Sequence, residues 1–311
     1  MSRSLLALAL ATGFALPAWA APPHVLTDIA PVHSLVSRVM AGVGEPDLLI
    51  PPGASPHFHA LKPSDARKLR EAQVVIKIGP QLSPWMDRPL TSMAGSARRL
   101  QLLEQPQTIT LPARTGATFE PHAQHGEQHP DAHDHGDPQD GGAIDAHAWL
   151  DPENGKAWLP VIAKALSELD PEHAPLYHAN AEAGAAEIEA AAQETRAMLA
   201  PLHDLRFVVF HDAYQYFERR FGLTATGAIA LSDASPPGPA RIAELRERVA
   251  ALDVSCALTE PQFDLDLVRT VFDGHEVKTA IVDPAGASIP LGPQMYPELI
   301  RSVGRALADC D

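Results

Sequence analysis

The sequence predicts an α/β protein of two lobes, each a parallel sheet flanked by helices, joined by one long rigid helix. Three observations predict it. Short apolar runs alternate with helical patterns on both sides of the chain's middle, which is how βαβ units read. A stretch rich in alanine and glutamate, Pro171 to about Leu199, separates the two series. The chain has 311 residues, enough for two domains, and its hydrophobic share of 45% is that of a folded protein able to bury a core.

The elements follow in order. MSRSLLALALATGFALPAWA, residues 1–20, has one arginine, an apolar run from Leu5 to Leu16 and the small-x-small site Ala18-Trp19-Ala20. It reads as a secretory signal peptide cleaved after Ala20. The apolar run is shorter than the roughly 20 residues a spanning helix needs. No cysteine stands at the cleavage point, so the expected mature chain is exported without a lipid anchor. HVLTDI is a strand, and PVHSLVSRVMAG a helix with Pro31 at its start and Gly42 as its stop. DLLI is a strand, KPSDARKLREA a helix with Ser64 and Asp65 as capping candidates, and VVIKIG a strand. Helix dominates from Pro152 to Pro201, with an interruption near Leu169 where Asp170-Pro171-Glu172 starts a new helix. At 1.5 Å per residue the second part is a rod of roughly 40 Å. Then RFVVF, ATGAIAL, CALTE and VKTAIV read as strands. They alternate with the helices DAYQYFERRFG, PARIAELRERVAAL, DLDLVRTVFDG and YPELIRSVGRALADC. The expected organisation is residues 21–155 as the N-terminal lobe, 156–203 as the linking helical segment and 204–311 as the C-terminal lobe.

Charge and cysteines narrow the class. Lysine and arginine number 24 against 39 acidic residues; without Arg3 the balance is 23 − 39 = −16. Nucleic acid is not an expected partner, because its affinity rests on cations that neutralise phosphates. The two cysteines, Cys256 and Cys310, suggest a disulfide in an oxidising compartment. Loop closure over that separation is worth roughly 4 kcal/mol at most.

Parallel sheets place ligands beyond the C-terminal ends of their strands. His211 follows FVVF, Asp283 follows TAIV, and His57 lies in the loop after DLLI. His147, in DAHAWLDP, precedes the long helical region. Three imidazoles and one carboxylate suit a tetrahedral zinc ion. Each residue has a plainer reading. A histidine after a strand is more often a hydrogen-bonded or exposed side chain, and aspartate before proline is a common turn or helix cap, which covers Asp151 and Asp283 alike. His59 could replace His57 or merely flank it.

Between the first strands and His147 runs EPHAQHGEQHPDAHDHGD, residues 120–137, with five histidines, five acidic residues and no lysine or arginine. Its composition points to a disordered, metal-binding stretch. His122, His125, His129, His133 and His135 offer interchangeable pairs or triplets, so binding there is expected to be weak and accessory. The alternative is a solvated linker.

GASPHFHALKPSD, DAHAWLDP, FHDAYQYF and VDPAGASIPLG occur in this order, with VVIKIGPQLSPWM, TEPQF and the Cys256/Cys310 pair. Together they resemble the metal-binding lipoprotein/adhesin family of ABC-transporter substrate-binding proteins, and within it the periplasmic zinc-uptake members. The resemblance spans nearly the whole mature chain. It implies one metal held in the cleft between the lobes by His57, His147, His211 and Asp283, and identifies residues 120–137 as a histidine-rich loop. Pro56 departs from the pattern: some zinc-uptake relatives carry glutamate there, so water is the alternative to an acidic neighbour. The implied role is a monomeric, non-enzymatic periplasmic protein that captures Zn²⁺ and delivers it to a membrane ABC permease. The runner-up within the class is a manganese or other divalent-metal carrier, which would favour more carboxylate donors. A secreted zinc hydrolase is the rival from another class. The sequence has neither HExxH nor G-x-S-x-G, and Glu260 is the one candidate base.

Overall fold

A computed structural model describes residues 21–119, 143–202, 204–230, 237–254, 256–261 and 265–310. The expected signal peptide, 1–20, and the five histidines of residues 120–137 lie outside the described residues.

The first lobe is built from β1 (Val25–Thr27), α1 (Ala30–Val39), β2 (Asp47–Leu48), α2 (Pro63–Glu71), β3 (Val74–Lys77), α3 (Asp87–Met93) and β4 (Arg98–Gln101). Its sheet has the order β2-β1-β3-β4, and every pair is parallel. β1 and β3 are buried along their whole length. This is why they read as continuous apolar runs rather than alternating ones. The one cation among them, Lys77, is 2% exposed, and its Nζ donates to Asp87 Oδ1 at 3.0 Å. The sequence pattern assigns no element to residues 84–101. β4 is an edge strand that buries only Leu100 fully and carries Arg98 and Arg99, so it lacks both alternation and an apolar run.

α4 (Pro152–Leu169) and α5 (Ala174–Leu199) follow. The interruption falls where the sequence places it. One 3₁₀ turn spans Pro171–His173, and Asp170 holds the bend by accepting from His173 Nδ1 at 2.7 Å and Tyr177 Oη at 2.8 Å. Burial acts to raise the Asp170 carboxyl, but these two bonds keep it below the usual carboxylate range. The 26-residue α5 is a rod of about 39 Å. It packs against α4, against α1 and against α9 (Met295–Ala308), so it is the common spine of both lobes.

The second lobe repeats the topology of the first. β5 (Phe207–His211), α6 (Gln215–Phe221), β6 (Gly227–Ala230), α7 (Pro239–Leu252), β7 (Cys256–Thr259), α8 (Leu265–Val271) and β8 (Lys278–Ile281) make a parallel sheet in the order β6-β5-β7-β8. α9 then returns across the molecule. Ser34 Oγ on α1 accepts from Tyr296 N at 2.9 Å and donates to Gly292 O at 2.7 Å. The Tyr296 hydroxyl donates to Trp149 O at 2.7 Å. Its ring lies so close to Gly155 that a Cβ there would sit 2.4 Å from the phenolic oxygen. One hydrophobic cluster runs from Val25 in β1 to Cys310 beyond α9, so the lobes share a core. The opposite face of the second sheet has its own, smaller cluster, including Val208, Phe210 and Leu245.

The chain between β4 and α4 crosses onto the second lobe. Phe119 N donates to Thr226 O at 2.9 Å, Ala228 N donates to Ala117 O at 3.1 Å, and Thr118 pairs antiparallel with Gly227. Only glycine fits at 227, because a Cβ would lie 2.3 Å from Ala117 O. On the far side of residues 120–142 the chain returns to the same arm. Ala113 N donates to Ala143 O at 2.7 Å and Asp145 N to Leu111 O at 2.9 Å. This arm falls within the span 21–155 expected for the first lobe, yet its edge bonds go to β6.

Cys256 in β7 and Cys310 after α9 form a disulfide, both sulfurs buried. It closes a separation of 54 residues and ties the C-terminal helix to the second sheet. Replacing both cysteines with serine should lower stability by about 2–4 kcal/mol. Urea unfolding of the double variant against wild type reads this directly; a loss under about 0.5 kcal/mol would show that α9 is held by packing alone.

Candidate metal centre

Four of the predicted site residues come from four different connections, and the sheets bring three of them together. His57 lies in the irregular loop between β2 and α2. That loop is pinned by Trp85, whose Nε1 donates to Pro56 O at 2.9 Å, and His57 N donates to Ser55 Oγ at 3.2 Å. His147 opens the 3₁₀ turn Ala148–Leu150, which leads into α4 at its N-cap Asp151. His211 is the last residue of β5.

His57, His147 and His211 each offer one ring nitrogen, and these three atoms all lie within 4.8 Å of one another. The His147 and His211 Nε2 atoms are 3.2 Å apart. Ring centroids are separated by 4.9 Å for His147–His211, 5.5 Å for His57–His147 and 6.1 Å for His57–His211. His147 and His211 are 6% and 3% exposed, and His57 is half-buried. The cavity they line holds about 30 Å³. That is room for one ion with one or two waters, not for an organic ligand.

Two of the rings are held from behind. Asp145 Oδ1 accepts from His147 N at 3.0 Å and from His147 Nδ1 at 2.7 Å. Glu260 Oε1 pairs with His211 Nδ1 at 2.9 Å. The second contact follows from register: β5 and β7 pair Phe207 with Cys256 and Val209 with Leu258, and one further step of two residues sets His211 beside Glu260. Neither carboxylate stands among the expected metal ligands. Asp145 leaves a faint sequence signal, an aspartate two residues before a histidine, which is the spacing of an Asx turn. Glu260 stands in the sequence as the candidate base of a hydrolase; its hydrogen bond here is to the His211 ring.

Asp283 lines the same cavity but is outside the three-histidine group. Its oxygens accept from the backbone N–H of Ala285 (2.7 Å), Gly286 (3.1 Å) and Ala287 (2.9 Å), which builds the turn after β8. Trp149 Nε1 donates to Pro284 O at 2.7 Å and joins that turn to the His147 segment. His59 stands apart from the group. Its Nε2 lies 3.4 Å from Asp65 Oδ2 and its ring packs 5.6 Å from Trp85, so it braces the start of α2. Asp151 caps α4 by accepting from Glu153 N at 2.9 Å, and it also receives Arg220 Nε at 2.7 Å.

Next to His211, Asp212 is buried and paired with Arg114, whose Nε lies 3.0 and 3.1 Å from its two oxygens. The same guanidinium donates to both oxygens of Glu218 at 2.9 Å and stacks 3.7 Å above the Phe119 ring. Burial pushes the Asp212 carboxyl above its ordinary value, although Arg114 pulls it down. No motif marks Arg114, because its partners are about 100 residues away. A larger cavity of about 940 Å³ opens near Phe119, Glu218 and Arg248, beside the N-terminal ends of β5 and β6. Among the described residues it gathers no group of three metal-ligating side chains.

The family described as ZnuA, zinc-uptake complex component A periplasmic, matches residues 25–310. The high-affinity zinc uptake system protein ZnuA of Brucella abortus (strain 2308) is 40% identical over 314 residues, covering 92% of this chain and 91% of its own. That of Paracoccus denitrificans (strain Pd 1222) is 41% identical over 319 residues, covering 99% and 98%. Among solved structures, one described as the crystal structure of ZnuA superimposes with a TM-score of 0.74 at 22% identity, covering 93% of this chain and 99% of the other. The Pseudomonas aeruginosa binding protein FpvC in complex with Mn²⁺ gives 0.74 at 23%, with the same coverage. At these identities the structural matches establish the fold.

Replacing Arg114 with methionine leaves Asp212 and Glu218 as two buried acids without their shared guanidinium. The expected loss is about 3–5 kcal/mol near pH 7.5. Burial already holds the Asp212 carboxyl above its ordinary value, and without Arg114 nothing from that side pulls it back, so the folded variant binds more protons than the unfolded chain and its deficit shrinks as pH falls toward 5. Urea unfolding at the two pH values tests this; a deficit that does not change with pH would mean the loss is one of packing.

Proposed function

The chain belongs to the family of periplasmic zinc-uptake component A, the metal-binding subunits of ABC importers, and on that premise we propose that it captures a zinc ion in the periplasm and hands it to a membrane ABC permease. The observation that carries the choice of metal is the donor set. Three imidazole nitrogens converge with a 3.2 Å edge between two of them. A tetrahedral zinc with bonds of 2.0–2.1 Å would have nitrogen–nitrogen edges of about 3.3–3.4 Å. A manganese carrier would be expected to present more oxygen donors. Solved structures on this fold include one with zinc bound and one in complex with Mn²⁺, so the fold does not discriminate and the side chains must.

In this reading His57, His147 and His211 are the ligands. Asp283 is a fourth, weaker donor: three backbone N–H groups take most of the roughly four lone-pair positions of its carboxylate. Water fills the shell where Asp283 does not. The disulfide fits an oxidising compartment, and among the described residues no helix is long and apolar enough to cross a membrane. The protein works as a monomeric carrier, with residues 120–137 as an accessory collector through His122, His125, His129, His133 and His135.

His57→Ala, His147→Ala and His211→Ala should each weaken zinc binding by more than about 100-fold, beyond the 10–100-fold range of changes one shell further out. Asp283→Asn should cost less than any of them. Calorimetry with a competing chelator measures all four, and unchanged affinity in any two histidine variants would refute the site. Deleting residues 120–137 should lower the number of zinc ions bound while leaving the affinity of the tightest one nearly intact. The chain segments on either side of the deletion are already paired, through the bonds between Ala113 and Ala143 and between Leu111 and Asp145. A collapse of the tight affinity would place the main site in the histidine-rich stretch instead.

A further inference from the structure

We infer that Asp145 and Glu260 are positioning residues that set the charge selectivity of the cleft, making it a site for a divalent ion rather than for a monovalent ion with an equal liking for imidazole. The inference rests on the three-histidine reading above and deepens it.

Neutral imidazoles bring no charge to an ion they bind. Imidazole serves copper as well as zinc, so ring nitrogens alone would not tell Zn²⁺ from Cu⁺. Asp283 supplies one charge at the cavity wall, and two more stand one ring further out, behind His147 and His211. A carboxylate oxygen only accepts hydrogen bonds. The short contacts from Asp145 to His147 Nδ1 and from Glu260 to His211 Nδ1 therefore place the hydrogen on each Nδ1. Both Nε2 lone pairs are thereby turned toward the gap of 3.2 Å between them. Asp145 and Glu260 are 6% and 3% exposed, so water screens their charge poorly. Each of the two attracts an ion in proportion to its charge, so the pair favours a dication over a monocation whatever Asp283 adds.

This makes the two carboxylates separable from a purely orienting role. Coulomb energy is proportional to the ion's charge. Removing one carboxylate charge at fixed geometry must cost a dication twice as much, on a logarithmic scale, as it costs a monocation. Geometric damage follows no such fixed ratio, and Glu260→Asp, which keeps the charge and moves the carboxylate, measures it separately.

The test uses the full chain with Glu260→Gln and Asp145→Asn, whose amide oxygens can still accept from Nδ1. Affinities for Zn²⁺, and for Cu⁺ under anaerobic conditions, are measured by chelator competition. Each variant should lose about 10–100-fold for Zn²⁺, the range for partners of metal-bound histidines, and only the square root of that factor, about 3–10-fold, for Cu⁺. Glu260→Asp keeps the charge but shortens the reach, so it should hold the ratio of the two affinities near the wild-type value even where both fall. Nitrogen NMR of His147 and His211 should show the Nδ1–H tautomer retained in the amide variants. Equal losses for both ions, no loss for either, or a ratio that shifts as far in Glu260→Asp as in Glu260→Gln would each overturn the inference. Wild-type zinc affinity that survives loss of the histidines would instead refute the ligand set, and the two failures are distinguishable.

Discussion

Two imidazole Nε2 atoms meet 3.2 Å apart, each ring braced from behind by a buried carboxylate, and much of the molecule serves to hold that pair. Bare nitrogen lone pairs aimed at one small cavity form no stable arrangement without support. The Glu260 brace is supplied by a strand register, because β5 and β7 run parallel and carry His211 and Glu260 to the same end. The Asp145 brace is supplied locally, by a turn that closes on the backbone and ring of the residue two positions on. A non-local and a local device thus meet at one site, and each would be idle without the other.

The cleft walls belong to a single packed body. Trp149 joins the His147 segment to the turn built by Asp283, Tyr296 joins the same segment to the last helix, and Ser34 ties that helix to α1. α5 runs behind both sheets and touches α1, α4 and α9. The buried cluster is continuous from the first strand to the C-terminal disulfide. Wide separation of the lobes would have to open this core and leave Ser34 and Trp149 without their partners, so the architecture favours small adjustments of the His57 loop over a clamshell motion.

The arm that leads into the histidine-rich stretch is fastened to the second lobe rather than left as a tether. Arg114 is the key fixture. It pairs with the residue next to His211 and with Glu218, and it stacks on Phe119, where the arm ends. The returning chain reaches Asp145 and His147 within a few residues. The chain entering residues 120–142 is therefore held beside Asp212, the neighbour of His211, and the chain leaving them runs directly into Asp145.

The sequence by itself determined the two α/β halves, the break at Asp170 and the long helix, and it marked His147, His211 and either His57 or His59 as candidates for one site. These are written in local periodicity, in caps and in motifs confined to a few neighbours. β4 escaped because an edge strand with two arginines has neither an apolar run nor alternation. Tertiary structure decided what each polar group does. Asp283 and Asp151 read alike as aspartate before proline; one builds a turn at the cavity wall and the other caps a helix and holds Arg220. His57 and His59 are two residues apart, and only the fold sends one to the cavity and the other to Asp65. Glu260 became the partner of His211, and Arg114 that of Asp212, across 49 and 98 residues of chain. The physical reason is one of range: hydrophobic pattern and backbone preference act within a few residues, whereas a hydrogen bond between distant side chains exists only after sheet register has placed them.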